Sequence, residues 1–193
     1  MSNTTRFTVV LTVVCLAAAG GVGSIYLLTR NPIAEKAQES RDALEKEVLP
    51  EADSFRELAP GSDVYAGLKD GRTVGYVAEG EAGGYGGKLQ VMVGLDTKLV
   101  VVKAAVLVHH ETPGLGAECA SVKSEDTLWT AIFGGERSEG TSWMDQFSGK
   151  RKAQLVLGSG VDARTGCTIT SKAVIEAVRN ALEKVEKLLA AQP

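Results

Sequence analysis

The N-terminal part of the chain is uniformly apolar. No charged residue occurs between Phe7 and Leu28. A membrane-spanning helix needs ~20 such residues, so the pattern predicts an uncleaved transmembrane anchor over residues 1–30. A cleavable signal peptide is the alternative, but its apolar region would be shorter and its start more basic. Cys15 suggests a lipid-attachment cysteine, although Val14 precedes it where a small residue is expected.

Charged residues dominate the next segment, residues 31–58, in which apolar side chains recur only weakly at helical spacing. The pattern predicts a solvated helical connector that ends at Pro50, because proline disrupts a helix interior. An irregular spacer is an equal alternative. Basic residues counted alone place this C-terminal flank of the anchor in the cytoplasm, but the flank is mixed in charge and leaves the orientation undecided.

The middle of the chain alternates β-branched and other apolar residues with turn residues, a pattern typical of strands. Asp70-Gly71 between two apolar runs predicts a hairpin over residues 63–78. Further strands are predicted at residues 89–93, 99–108 and 153–157, with a turn at 94–96.

Apolar residues recur at three- and four-residue steps over residues 171–192, which predicts an amphipathic helix. A largely antiparallel sheet flanked by helices makes the expected fold class α+β. We therefore expect one folded domain over residues 59–193, after the anchor and the connector.

Composition and charge argue against two classes of function, nucleic-acid binding and metal binding. The chain has 193 residues and a formal net charge of −3, without the basic, aromatic-interleaved stripe that nucleic-acid binding requires. Three dispersed cysteines and one adjacent histidine pair give no metal-ligand spacing. We therefore expect neither a nucleic-acid partner nor a metal site. The sequence leaves open whether Cys119 and Cys167 form a disulfide.

Hydroxyl side chains concentrate just before the C-terminal helix, in the sequence DARTGCTITS at residues 162–171. A structural interpretation is sufficient on local physics, because Thr170 or Ser171 can cap the helix and Gly166 permits a tight turn. A helix N-terminus also favours anions, so a phosphate near Thr168 would be well placed. The absence of a phosphate-loop lysine gives nucleotide hydrolysis no support.

Asp162 and Thr165-Gly166-Cys167-Thr168 resemble the flavinylation motif of the FMN-binding domain family. The resemblance implies that Thr168 carries FMN through a phosphoester. It also implies a separate flavin transferase that uses FAD and a divalent cation and recognises Asp162, Gly166 and Thr168. Thr165 and Gly166 would shape the loop around the cofactor. Cys167 stands where alanine is usual, and cysteine is small enough to replace it.

A second segment, His109 to Gly116, is similar to the family's His-x-Glu-Thr-Pro-Gly-Leu-Gly signature, although Pro and Gly alone would indicate only a loop. The resemblance implies flavin contacts from this segment and from two further places. The implied contacts are Glu111, Thr112, Leu115, Gly116, Tyr85 in the Gly84–Gly87 turn, and Lys150. Trp143 and Trp129 are expected to be core aromatics rather than stacking partners.

Within this family the short chain with one anchor is most similar to the G subunits of Rnf-type ion-translocating ferredoxin:NAD⁺ oxidoreductases. The C subunits of Na⁺-translocating NADH:quinone reductases are the alternative. The resemblance implies an electron-transfer subunit in the bacterial inner membrane, with its flavin domain on the periplasmic side and other membrane subunits as partners. An unmodified membrane-tethered assembly module and a free-standing extracellular flavin reductase are the competing hypotheses.

Overall fold

The computed structural model describes residues 3–112, 116–120 and 142–191. The chain divides into two units, Met1–Asp42 and Ala43–Pro193. The helices are α1 (Asn3–Val48), α2 (Ala117–Ala120) and α3 (Thr168–Ala191), with short 3₁₀ helices at Trp143–Phe147 and Lys152–Gln154. The strands are β1 (Ser54–Glu57), β2 (Val64–Lys69), β3 (Arg72–Gly83), β4 (Lys88–Asp96) and β5 (Val101–Val108).

The first unit contains the part of α1 up to Asp42, and the large apolar side chains of this part are exposed. By length and composition this helix could cross a membrane. Its hydroxyl groups are satisfied within the helix: Thr8 donates to the Thr4 carbonyl at 3.0 Å and Thr12 donates to the Thr8 carbonyl at 2.9 Å. Internal pairing of this kind is what a hydrocarbon environment requires of polar groups.

The second unit is built on an antiparallel meander in the order β1-β2-β3-β4-β5. The predicted hairpin is confirmed, with Lys69 paired to Arg72 around the turn. Asp70 and Gly71 both adopt left-handed backbone conformations, with φ of 50° and 76°. Such a turn matches the twist of the two strands. The α+β class and the antiparallel sheet are therefore confirmed.

The turn predicted at residues 94–96 is wrong, because β4 continues to Asp96. The Asp96 carboxylate accepts hydrogen bonds from the backbone N–H groups of Lys98 and Val100, both at 2.8 Å. This side chain holds the chain reversal after the strand, as aspartate does in local turns. Gly94 lies inside the strand. The position requires glycine because a Cβ atom there would overlap with the Val48 carbonyl.

The strand predicted at residues 153–157 is also wrong. A 3₁₀ helix occupies Lys152–Gln154, and Leu157 forms only an isolated bridge with Val161. Leu155 is fully buried in the core. The run is therefore apolar because it packs against the core as a loop, and it is not a strand of the sheet.

Both faces of the sheet are covered within the second unit. The helix α3 packs across β3 and β4, and its backbone approaches so closely that a Cβ atom at Gly80 would overlap with the Ala177 carbonyl. On the other face Val48 and Leu49, at the end of α1, pack with Met92. The strand β1 lies within the segment predicted as a helical connector, and α1 ends two residues before Pro50. The predicted domain boundaries stay a prediction.

Candidate functional site

The hydroxyl-rich segment is a turn that runs directly into α3. The N–H of Cys167 donates to the Arg164 carbonyl at 3.2 Å, and Gly166 takes the left-handed φ of 87° that favours glycine. Thr165 and Gly166 are exposed. Thr168, the implied attachment residue, is the first residue of the helix and is also exposed. Its hydroxyl is therefore accessible to another molecule at the positive end of a 24-residue helix dipole.

The capping role predicted for Thr170 or Ser171 is wrong, because the helix begins earlier and encloses both residues. The Ser171 hydroxyl donates to the Cys167 carbonyl at 2.9 Å and accepts from the Arg164 N–H at 3.4 Å. The side chains of Thr170 and Ser171 are buried. The hydrogen bonds of Ser171 connect the preceding turn to the first turn of the helix.

The upstream end of the segment is held by the 3₁₀ helix Trp143–Phe147. The Gln146 side chain accepts from the Asp162 N–H at 2.8 Å and donates to the Asp162 carbonyl at 3.3 Å. The Trp143 indole N–H donates to the same carbonyl at 2.8 Å. The Trp143 ring meets Phe147 edge to face, with centroids 5.4 Å apart, and packs against the core as predicted. Trp129 lies outside the described residues.

The segment after β5 approaches α3 through Glu111. Its buried carboxylate accepts from the Thr170 hydroxyl at 3.0 Å. The N–H of Glu111 donates to His109 Nδ1 at 3.4 Å. Gly116 is buried and Thr112 is exposed, whereas Leu115 lies outside the described residues.

A disulfide between Cys119 and Cys167 joins α2, which follows the 109–116 segment, to the turn before α3. Cys167 immediately precedes Thr168, so the covalent link ends beside the implied attachment residue. The Cys119 sulfur also lies 3.5 Å from the Ser171 hydroxyl. Sequence spacing alone could not have identified this pair, because 48 residues separate the cysteines.

The glycine turn between β3 and β4 lies against the 109–116 segment. The Gly86 N–H donates to the Glu111 carboxylate at 3.4 Å. A Cβ atom at Gly86 would overlap with the His110 carbonyl. Tyr85 projects from this turn with 73% of its surface exposed. All three family-like segments therefore meet at one place.

Lys150 is placed elsewhere. Its carbonyl accepts from the Val101 N–H at 2.9 Å, at the beginning of β5. The 109–116 segment leaves the opposite end of that strand, and eight residues of extended chain span roughly 25 Å. The structure does not bring the Lys150 backbone to this segment.

A cleft of about 410 Å³ opens along α3 one turn after Thr168. Residues 155–157 form one wall, and Lys172, Ile175 and Arg179 line the helix side. These three side chains follow Thr168 at helical spacing and share its face. Neither this cleft nor the role of Gln146 was predicted from the sequence, although the spacing along α3 was visible there.

Among the residues that the structure describes, no cluster of three or more histidine, cysteine or acidic side chains could hold a metal ion.

Comparison with known proteins agrees with the motifs. The model of the FMN-binding domain family matches residues 84–183, which include the glycine turn, the 109–116 segment and Thr168. The chain is 30% identical to the G subunit of the Na⁺-translocating ferredoxin:NAD⁺ oxidoreductase complex of Acetobacterium woodii, over 93% of this chain and 90% of that protein. It is 29% identical to the proton-translocating counterpart of Clostridium ljungdahlii, over 91% and 88%.

Among solved structures, NqrC of Shewanella oneidensis superposes with a TM-score of 0.47 at 19% identity, covering 75% of this chain and 74% of that one. The assignment rests on the family model and on the sequence relatives. The chain belongs to the FMN-binding domain family, together with the G subunits of ion-translocating oxidoreductase complexes.

Proposed function

We propose that this protein is the membrane-anchored G subunit of an Rnf-type ion-translocating ferredoxin:NAD⁺ oxidoreductase, with FMN bound covalently to Thr168. The observation that carries the proposal is the exposed position of Thr168 at the first residue of α3, inside the family-like segment. The names of the relatives support the type of complex. Because one relative is named for protons and the other for Na⁺, the transported ion is not assigned.

The attachment reaction is a group transfer. The Thr168 hydroxyl oxygen forms a phosphoester with the FMN phosphorus of FAD, the diphosphate bond of FAD breaks, and AMP leaves. A flavin transferase with its divalent cation supplies the base that takes the hydroxyl proton. We assign Asp162 and Gly166 to recognition by this enzyme, because both are exposed in one segment, and Trp143 and Gln146 fix the backbone of that segment at Asp162.

Bound FMN supplies one- and two-electron redox chemistry, and the chain supplies its place and surroundings. The N-terminus of α3 would hold the phosphate, because backbone N–H groups and the helix dipole favour an anion there. We assign cofactor contacts to Thr112, Gly116 and Tyr85, which belong to the segments that meet at Glu111. We also assign one to Leu115. Thr165 shapes the turn. The contact from Lys150 would have to come from its side chain, because its backbone is bonded to the beginning of β5. No residue is assigned as a catalytic acid, base or nucleophile.

We place the anchor in the bacterial inner membrane and the flavin domain on the periplasmic side. The Cys119–Cys167 disulfide supports this side, because disulfides persist in oxidising compartments and are rare in the cytosol. Partners are the other membrane subunits of the complex, between which electrons would pass.

Intact mass spectrometry tests the proposal. The full chain is co-expressed with a flavin transferase, purified in detergent and compared with Thr168→Val and Thr165→Ser. We expect wild type and Thr165→Ser to gain the mass of one FMN residue and a yellow chromophore, and Thr168→Val to gain neither. Thr165→Ser is the matched control, because it changes the other exposed threonine of the segment and keeps a hydroxyl in the turn.

A wild-type chain with its bare mass would instead favour an unmodified assembly module. Turnover of small acceptors by the isolated, loaded protein, without co-purifying membrane subunits, would favour a free-standing flavin reductase.

A further inference from the structure

The carboxylate of Glu111 lies where three segments of the domain meet. The side chain is only 7% exposed. One oxygen, Oε2, accepts from the Thr170 hydroxyl at 3.0 Å, and the other, Oε1, accepts from the Gly86 N–H at 3.4 Å. Burial of a carboxylate is costly unless hydrogen bonds compensate, so these two donors are part of what allows Glu111 to be buried.

Two glycines make room for this carboxylate. A Cβ atom at Gly84 would overlap with Glu111 Oε1. A Cβ atom at Gly116 would overlap with Oε2 and would approach the Thr170 hydroxyl to 2.6 Å. Packing around the Glu111 carboxylate is therefore sufficient to require glycine at positions 84 and 116.

The bond from Thr170 acts on the first turn of α3, which also contains Thr168. Thr170 is 1% exposed, whereas Ile169 is 55% exposed and Thr168 is exposed as well. Successive residues of a helix point about 100° apart. A tie to Thr170 on the inner side therefore fixes which way Thr168 faces on the outer side.

We propose that Glu111 is a positioning residue for flavin attachment: it does not contact the flavin, and it orients Thr168 by holding Thr170 and the glycine turn. This inference rests on the proposed attachment of FMN to Thr168. It changes the role that the family resemblance implies for Glu111, from a cofactor contact to an internal support.

The chemistry of the two bonds selects informative variants. A carboxylate accepts from both donors at once, whereas a glutamine offers one acceptor oxygen and one donating amide. Glu111→Gln keeps the size and removes one acceptor. Thr170→Val keeps the shape and removes the hydroxyl, and Thr170→Ser keeps the hydroxyl and serves as the matched control.

The experiment measures the rate of covalent flavin attachment to the full detergent-solubilised chain, with purified flavin transferase, FAD and Mg²⁺. We expect Glu111→Gln and Thr170→Val to be about ten- to hundredfold slower than wild type, since small misplacements of a reacting group have effects of this size. Thr170→Ser should stay near wild type. The double variant, with Glu111→Gln and Thr170→Val combined, should be no slower than the slower single variant. Both substitutions disrupt the same hydrogen bond between Thr170 and Glu111.

Two readouts separate positioning from other roles. The absorption spectrum of the fully loaded Glu111→Gln protein should match wild type, and amide hydrogen exchange of residues 168–171 in the unloaded protein should be faster. A shifted flavin spectrum, an additive double variant, or attachment rates within about twofold of wild type for both single variants would overturn the inference.

The proposed function and this inference fail differently. If wild type acquires no flavin, the attachment at Thr168 is refuted. If wild type is loaded and Glu111→Gln is loaded equally fast with unchanged exchange, only the positioning role is refuted.

Discussion

The outward and inward sides of the turn that begins α3 differ in their surroundings although they carry similar residues. Thr168 and Ile169 are exposed, whereas Cys167, Thr170 and Ser171 are buried and bonded to other parts of the domain. Two threonines only two positions apart therefore have different surroundings. Thr168 faces solvent, whereas Thr170 ties the first turn of α3 to Glu111.

The comparison predicts that inward-side changes lower stability without removing the proposed attachment hydroxyl. The largest effect is expected from Cys119→Ser combined with Cys167→Ala. Removing a disulfide that closes a loop of 48 residues should lower the free energy of unfolding by about 4 kcal/mol. Denaturant unfolding of the full chain in detergent measures this. Cys167→Ala also introduces the residue that is usual in the family motif, so the attachment sequence is preserved.

Cys15→Ser is the matched control, because Cys15 is a free, exposed cysteine in α1. It should leave the unfolding free energy unchanged, and a dithiol reductant added to Cys15→Ser should reproduce the loss. A reductant without effect on a chain whose two thiols are then shown to be free would contradict the structural role of the disulfide.

A smaller effect is expected at the upstream end of the segment, where Trp143 holds the Asp162 carbonyl. Trp143→Phe keeps an aromatic ring near Phe147 and removes the indole N–H. One lost hydrogen bond should lower the free energy of unfolding by about 1 kcal/mol. We also expect slower flavin attachment, because the transferase must then recognise a more mobile Asp162.

Gln146→Glu sharpens this test. Glutamate still accepts from the Asp162 N–H and cannot donate to its carbonyl, so its effect on attachment should have the same direction. If Trp143→Phe and Gln146→Glu both lowered the unfolding temperature while attachment kept its wild-type rate, Asp162 would have no role in recognition.

The smallest effect is expected at Lys152, which contacts α3 near its other end through Glu183 and Glu186. The hydrogen bond to Glu186, opposed by desolvation and helped by Glu183, raises the pKa of Lys152 above its ordinary value. A raised folded-state pKa stabilises the fold below the ordinary value, and this contribution is lost as the pH rises through the raised pKa.

Lys152→Gln should therefore lower the unfolding temperature slightly at neutral pH, because such ion pairs are partly exposed and screened by salt. The difference should shrink at high salt and vanish above the raised pKa, and flavin attachment should not change. A difference of the same size at every pH would mean that packing, and not charge, is responsible.

Local patterns in the sequence were sufficient for several elements. The Asp70-Gly71 hairpin and the helical repeat of α3 depend on neighbouring residues, so they were predictable. The turn after β4 was misplaced because glycine suggested it at Gly94, where tight packing against Val48 is the actual reason for the glycine. Leu155 likewise suggested a strand, although it packs into the core from a loop.

The sequence by itself determined the apolar N-terminal helix, the α+β class and the family-like segments around Thr168, because these are encoded in residues close together in the chain. Only the tertiary structure decided that Glu111 supports Thr170, that Gln146 holds Asp162 and that Cys119 joins Cys167. The partners in these pairs are separated by 59, 16 and 48 residues. Local sequence preferences do not specify such contacts, which form only when the sheet and α3 pack together.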